Sequence, residues 1–489
     1  MDSVSAAYYE RRRVAFSAPS RAIATSVVAV AVTGFGTLSA VLLIPANSGA
    51  PGALFYPALA MSLGLLITPL MFVVQNPKAI LRADCLLALA PIYWLLLDLL
   101  QGVYAMDSVN SAEIAAGFVA IGVFSSTAWL GALRRPWSAP AFILKSVSRD
   151  FTTNTYFAVA VTSFLIGMLK FAIPCNFDLV QMFSYAGQER WAAPWGRGQL
   201  GGWDAFLDHL EYFGYLLPVL TIILTRYVGW RNVRTLVCIG MSAIMALFIA
   251  QSGSRRVLGV ILGMALVLWV LSQPRLRVKQ VVVSILSVAA LLIALQIMLE
   301  YRNVGLGALV GQKNESESGV KEKQTMFEEQ YLRVDDNFYR LCQIIQLIPK
   351  TFPYVYHRYL VYVIVRPIPR VFWEGKPVDP GFDLPTALGV EGVSYSYSVI
   401  GELYMSLGFL GIAIGGWFYG RIAATANGLL SRSGTIATLL VYSIIAMALF
   451  AGLRSVLDLL LVSYVVLAWV FLSRFFRTVM KQTVSTTSR

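Results

Sequence analysis

Arg255 and Arg256 close the short turn Ser252-Gly253-Ser254-Arg255-Arg256 between two apolar runs. A guanidinium is a planar fork that can meet two phosphate oxygens at once. The small residues ahead of it let backbone N–H groups come close to an anion. The turn would serve equally well for contacts with lipid headgroups, and the residue pattern leaves both readings open. Arg366 and Arg370 form a second group in R-P-I-P-R-V-F-W-E-G-K-P, with Lys376 at its end. Pro367 and Pro369 fix the backbone between these two arginines, so their separation is held. From Lys350 to Lys376 five basic residues stand against one acidic residue, Glu374, which makes a local positive patch. Tyr359, Tyr362, Phe372 and Trp373 in that stretch suit an interfacial anchor. That reading accounts for the aromatics and leaves the proline-spaced arginines unexplained. Arg190, in Q-E-R-W-A-A-P-W-G-R-G-Q-L-G-G-W, sits among aromatic rings and glycines that fit sugar faces and membrane interfaces alike.

Groups able to move a proton are few. The two histidines are His209 and His357. Glu402 opens an apolar run, where a carboxylate is costly unless paired or functional. There it suits a general base or an ion pair with a loop arginine. Asp335, Asp336, Asp379 and Asp383 are weaker candidates, and Asp98, deep in an apolar run, reads as a helix-packing partner. No His/Asp/Glu cluster has metal-ligand spacing and no nucleotide-type glycine loop occurs, so neither a metal nor another cofactor is expected. Cys85, Cys175, Cys238 and Cys342 show no metal-type spacing either. Cys175 and Cys342 fall on the same expected side and could pair, with unpaired apolar packing the favoured expectation.

The elements that must hold these residues are membrane helices. The chain has 489 residues, 57% hydrophobic and 13% charged, with mean hydropathy +0.67. A soluble domain carries about a quarter charged residues. Twelve apolar runs are expected to span: 22–44, 54–74, 85–103, 112–133, 155–173, 210–225, 235–250, 257–271, 281–299, 399–419, 436–450 and 456–471. The run after Arg21 is a full span rather than a cleaved leader. Arg11, Arg12 and Arg13 precede the first run, and every second connection is basic. By the positive-inside rule both termini are cytoplasmic. The formal charge of +13 gathers in those short turns, which argues against a nucleic-acid partner.

Three regions follow. Residues 1–299 hold nine spans and an outer loop at 174–208. Residues 300–398 form a large outer loop, and residues 399–489 hold three more spans and a cytoplasmic tail. The large loop opens with the polar tract G-Q-K-N-E-S-E-S-G-V-K-E-K-Q. A helix follows, with Val334, Phe338, Leu341, Ile345 and Ile348 at helical spacing. Arg333, Asp336 and Arg340 line its other side, and Pro349 stops it.

At these residues the chain resembles the oligosaccharide repeat-unit polymerases, the Wzy-type O-antigen and exopolysaccharide polymerases, over roughly its second half. The resemblance rests on S-G-S-R-R, on the helix from Asp336 to Pro349, on I-P-R-V-F-W-E-G-K-P, and on S-V-I-G-E-L-Y-M-S-L-G-F-L-G. Some members carry two outer-loop arginines, each followed by ten residues and a glycine. Arg190 with Gly201 and Arg370 with Gly381 match that spacing. His357 stands where relatives often have glycine.

The resemblance implies an all-α, polytopic, GT-C-like architecture in the bacterial cytoplasmic (inner) membrane, with the large loop periplasmic. It implies a metal-independent glycosyltransferase that joins glycan repeat units carried on undecaprenyl pyrophosphate. Arg255, Arg256, Arg366 and Arg370 would hold the pyrophosphate, with Arg190 and Arg340 secondary and Glu402 or His357 as base. Membrane lipids are partners on this reading, and the involvement of a protein that sets chain length stays open. The alternatives are an O-antigen ligase and a flippase for the same lipid-linked sugar. Ligases are expected to carry a histidine followed ten residues later by glycine, and neither His209 nor His357 does.

Overall fold

The computed structural model describes residues 22–103, 105–147, 149–196, 203–301, 305, 331–332, 334–366, 368, 372–377, 379–390, 393–432 and 434–487. Among them no strand occurs. In chain order the helices are α1 (Ala22–Leu42), α2 (Phe55–Gln75), α3 (Ala83–Gln101), α4 (Ser111–Leu133), α5 (Ala141–Val147) and α6 (Thr153–Ala172). Next come α7 (Leu179–Ser184), α8 (Asp204–Gly214), α9 (Leu217–Val228), α10 (Val233–Gln251), α11 (Arg255–Ser272) and α12 (Val278–Glu300). The chain ends with α13 (Asn337–Leu347), α14 (His357–Val365), α15 (Leu384–Ala387), α16 (Ser398–Arg432), α17 (Ile436–Ala451) and α18 (Val456–Thr487).

Eleven helices among the described residues are long and apolar enough to cross a membrane. The chain is therefore a multi-pass, all-helical membrane protein. Ile285 and Leu286 on α12 are each 62% exposed, a surface that hydrocarbon covers and water would not. The expected span 436–450 is different. It forms α17, a helix of 16 residues, which at about 1.5 Å per residue is shorter than a hydrocarbon core of roughly 30 Å. Its apolar character comes from protein on every side. Tyr442, Ala446 and Leu449 join one hydrophobic core with α2, α3, α4 and α13. Ile436, Leu440, Val441 and Ile444 join a second with α6, α9, α10 and α11. All four cysteines are free and buried; Cys342 belongs to the first core and Cys175 to the second.

Local chemistry sets the breaks. Pro91 removes one backbone donor inside α3, and a π-helical turn at Ile92–Leu96 follows directly. Pro218 sits where the helix restarts after Tyr215 and Leu216, separating α8 from α9. α16 breaks at Leu407 and at Gly408, whose φ of 62° and ψ of −148° suit glycine. The break frees carbonyls that Val355 and Tyr356 then take up, their N–H groups donating to Met405 and Ser406 at 2.9 and 3.1 Å. The leg after the break lies backbone to backbone on α4, with Gly416 against Phe124 and Gly420 against Ala128. Such small residues let membrane helices approach closely.

The expected amphipathic helix of the large loop is α13. Its apolar face is driven into the bundle: Phe338 and Leu341 are fully buried, and Phe338 packs on Phe118 of α4 with ring centres 4.8 Å apart. The polar tract at 311–330 and Arg333 lie outside the described residues.

Candidate functional site

The turn before α11 is built for a sharp reversal. Gly253 adopts φ +70°, and its N–H donates to Ala250 O at 2.9 Å. The helix then starts at Arg255, so Arg255 and Arg256 occupy its first turn. The positive end of the helix dipole disfavours cations there. Two carboxylates brought from elsewhere compensate. Asp335 receives Arg255 at 3.4 Å and also bonds Arg454. Asp458 receives Arg256 at 3.4 Å and Arg454 at 3.2 Å. Among the described residues three guanidiniums and two carboxylates thus form one ionic network. Burial works to raise the proton affinity of Asp335, but Arg454, Arg255 and Arg256 outweigh it and hold the group below the usual carboxylate range.

Below this cluster lies an open cavity of about 70 Å³. Arg256 and Asp458 stand at its polar rim. Val257, Val260, Ile261 and Met264 of α11 form one wall, Leu461 and Val462 of α18 another, with Trp94, Tyr212 and Tyr215 between them. Charged groups thus stand beside a small apolar cavity.

The neighbouring loops are tied to the same turn. Gln251, just before it, accepts from the Trp195 indole at 2.9 Å and donates to Glu189 O at 3.1 Å. The segment that carries Arg190 is therefore anchored beside Ser252. From the other direction, Gln101 exchanges two hydrogen bonds with Leu332, at 3.1 and 2.8 Å. Asn337 donates to Trp94 O at 2.9 Å. These bonds strap the stretch that bears Asp335 across the end of α3.

The other expected site residues are spread around this centre. Arg190 lies over Trp191, 4.4 Å from the ring centre. Arg340 pairs with Asp336 at 2.5 Å and stacks on Tyr395 at 3.6 Å, so its charge is already engaged. Arg366 is exposed and donates to the Tyr362 hydroxyl at 2.7 Å. Lys376 caps the end of α14, donating to Arg366 O and Ile368 O at 2.9 and 2.6 Å. Arg370 and Gly201 lie outside the described residues. Gly381 is described, and its φ of +95° favours glycine. Of the expected interfacial aromatics, Phe372 and Trp373 are exposed while Tyr359 is buried.

Glu402 is buried and surrounded by donors. It accepts from the Ser455 hydroxyl at 2.6 Å and from Val456 N–H at 2.7 Å, and Tyr359 bonds it as well. It holds the first turn of α18 to the short leg of α16. His357 is exposed at the start of α14.

Arg454 and Asp458 were not singled out by sequence reasoning, and the structure places both in the cluster. A signal existed for Arg454: it lies in a turn on the expected outer side, against the same charge bias that marks Arg255 and Arg256. Asp458 lies within an apolar run, where its cost calls for a partner. No protein-family model, curated protein or solved structure matches the chain.

Proposed function

We propose that the protein polymerises glycan repeat units carried on undecaprenyl pyrophosphate, at the outer face of a bacterial cytoplasmic membrane, for an O-antigen or an exopolysaccharide. The observation that carries this reading is the arginine cluster at the N-terminus of α11, set at the rim of an apolar cavity. The pyrophosphate sits against Arg255, Arg256 and Arg454, with Arg366 on the loop side, and the isoprenoid lies along the apolar surface beneath. A hydroxyl at the end of one repeat unit attacks the anomeric carbon of the growing chain on a second carrier. The carbon–oxygen bond to the pyrophosphate breaks, and charge accumulates on the leaving oxygens. Donors already fixed by Asp335 and Asp458 stabilise that charge without having to reorganise.

A flippase for the same lipid-linked sugar is the second reading. It is favoured by the break at Leu407 and Gly408, since interrupted helices line many transport paths. Against it, the charged cluster lies at one end of the bundle.

Purified protein in liposomes, supplied with lipid-linked repeat unit alone, separates the readings. Chains of two or more units are expected. Unchanged single units would overturn polymerisation and leave transport. Growth only on an added lipid acceptor would identify a ligase.

A further inference from the structure

One buried carboxylate beside the cluster has no role in the account so far. Asp98 is on α3, directly after the π-helical turn at Ile92–Leu96. π-Turns of this kind recur at functional sites because they re-aim the residues that follow. Asp98 is 5% exposed, and among the described residues no donor meets its Oδ1. Asp335, Asp458 and Glu402 are engaged by side-chain donors, whereas the Asp98 carboxylate meets the backbone N–H of Val334 on the strap. Asp98 lies within electrostatic reach of Arg255, Asp335 and Asp336. One turn before it on α3 is Trp94, which lines the apolar cavity.

A second unmet acceptor is close by. Asn337 is fully buried. Its amide N–H donates to Trp94 O at 2.9 Å, while its Oδ1 has no donor among the described residues. Two buried acceptors without donors, where α3 meets the strap, call for a ligand that supplies O–H groups. Sugar hydroxyls are such donors.

We propose that Asp98 is the general base of the transfer, with Asn337 accepting a neighbouring hydroxyl of the same sugar. This rests on the polymerase reading above. In the step, the acceptor oxygen forms the new bond to the anomeric carbon, and its proton passes to Asp98 Oδ1. The bond from that carbon to the lipid pyrophosphate breaks, and the leaving group keeps the electron pair. Glu402 is occupied in holding α18, and His357 faces outward from α14.

The test uses full-length protein in liposomes with purified lipid-linked repeat unit. Asp98→Asn keeps the shape and removes the base. We expect kcat to fall by about 10²–10⁴-fold with KM within threefold, and Asp98→Glu to recover part of the loss. Thermal stabilisation of Asp98→Asn by the lipid-linked unit is expected to match wild type. A kcat within threefold of wild type would overturn the assignment and leave the polymerase reading intact. Loss of that stabilisation would also overturn it, since Asp98 would then serve the shape of the site. Wild type that grows no chain would overturn the reading beneath and this inference with it.

Discussion

At one end of the bundle four cations are bonded to backbone carbonyls, and Arg82 pairs with its neighbour Asp84. Lys78 donates to Leu271 O at 3.3 Å, Arg226 to Ser272 O at 2.8 Å, Arg421 to Arg135 O at 2.5 Å, and Arg477 to Lys145, Ser146 and Arg149 oxygens at 2.8–3.1 Å. Around α11 and α18 at the opposite end, Arg255, Arg256 and Arg454 are bonded to carboxylates drawn from two separate segments. Cations on carbonyls satisfy helix ends and tie loops down. Cations held by carboxylates from distant segments keep a fixed geometry, which is what an anion site requires. The same residue type thus does structural work at one end and is poised for chemistry at the other.

The sharpest way to break this contrast is to remove one arginine from each end. On the proposed polymerisation, Arg454→Ala should reduce chain growth by about 10²–10³-fold, the usual cost of losing one preorganised donor. Arg477→Ala should lower the melting temperature and leave the per-molecule rate within a few fold. Equal losses of rate in both would erase the distinction. Both are read from polymer length on gels beside a thermal scan.

A smaller effect sharpens the role of Asp335. Its proton affinity is depressed in the folded protein, so its contribution to stability is present above its unfolded pKa, about 4. That contribution is lost as the pH falls through the lower folded value. Asp335→Asn should therefore be less stable by about 1–3 kcal/mol at neutral pH, and the two melting curves should converge in acid. A gap of the same size at all pH values would show that packing, and not charge, is what Asp335 supplies.

The smallest effect concerns the broken helix. Gly408→Ala puts a side chain at φ 62° and brings its Cβ within 2.9 Å of the Tyr354 hydroxyl. A loss of about 1–3 kcal/mol is expected, read as a lower melting temperature with the carbonyl-bonded end unaffected.

Much of this was legible in the chain. The apolar runs located the spans because a bilayer demands long uninterrupted helices. Arg255 and Arg256 were marked because they oppose a known charge bias. Other features depended on distant contacts. Arg454 occupies a turn so short that its charge drew no notice, and its importance arises from Asp335, 119 residues away in sequence. α17 reads as a span from composition, yet the protein that covers it comes from both cores. The periodicity of α13 revealed which face is apolar but not that α4 and the short leg of α16 would receive it. Glu402 read as costly at the start of a span, and only the fold supplied Ser455, Val456 and Tyr359 as its donors.

The insertion of α13 between α4 and α16 has a consequence for modularity. A helix whose apolar face is completed by two membrane spans has no independent existence in water. α13 is a keystone, not an appendage, and it cannot be lifted out or exchanged as a unit. Any change made to this helix has to preserve Phe338, Leu341 and Ile345, so variation is channelled to the positions between them and to the turns on either side.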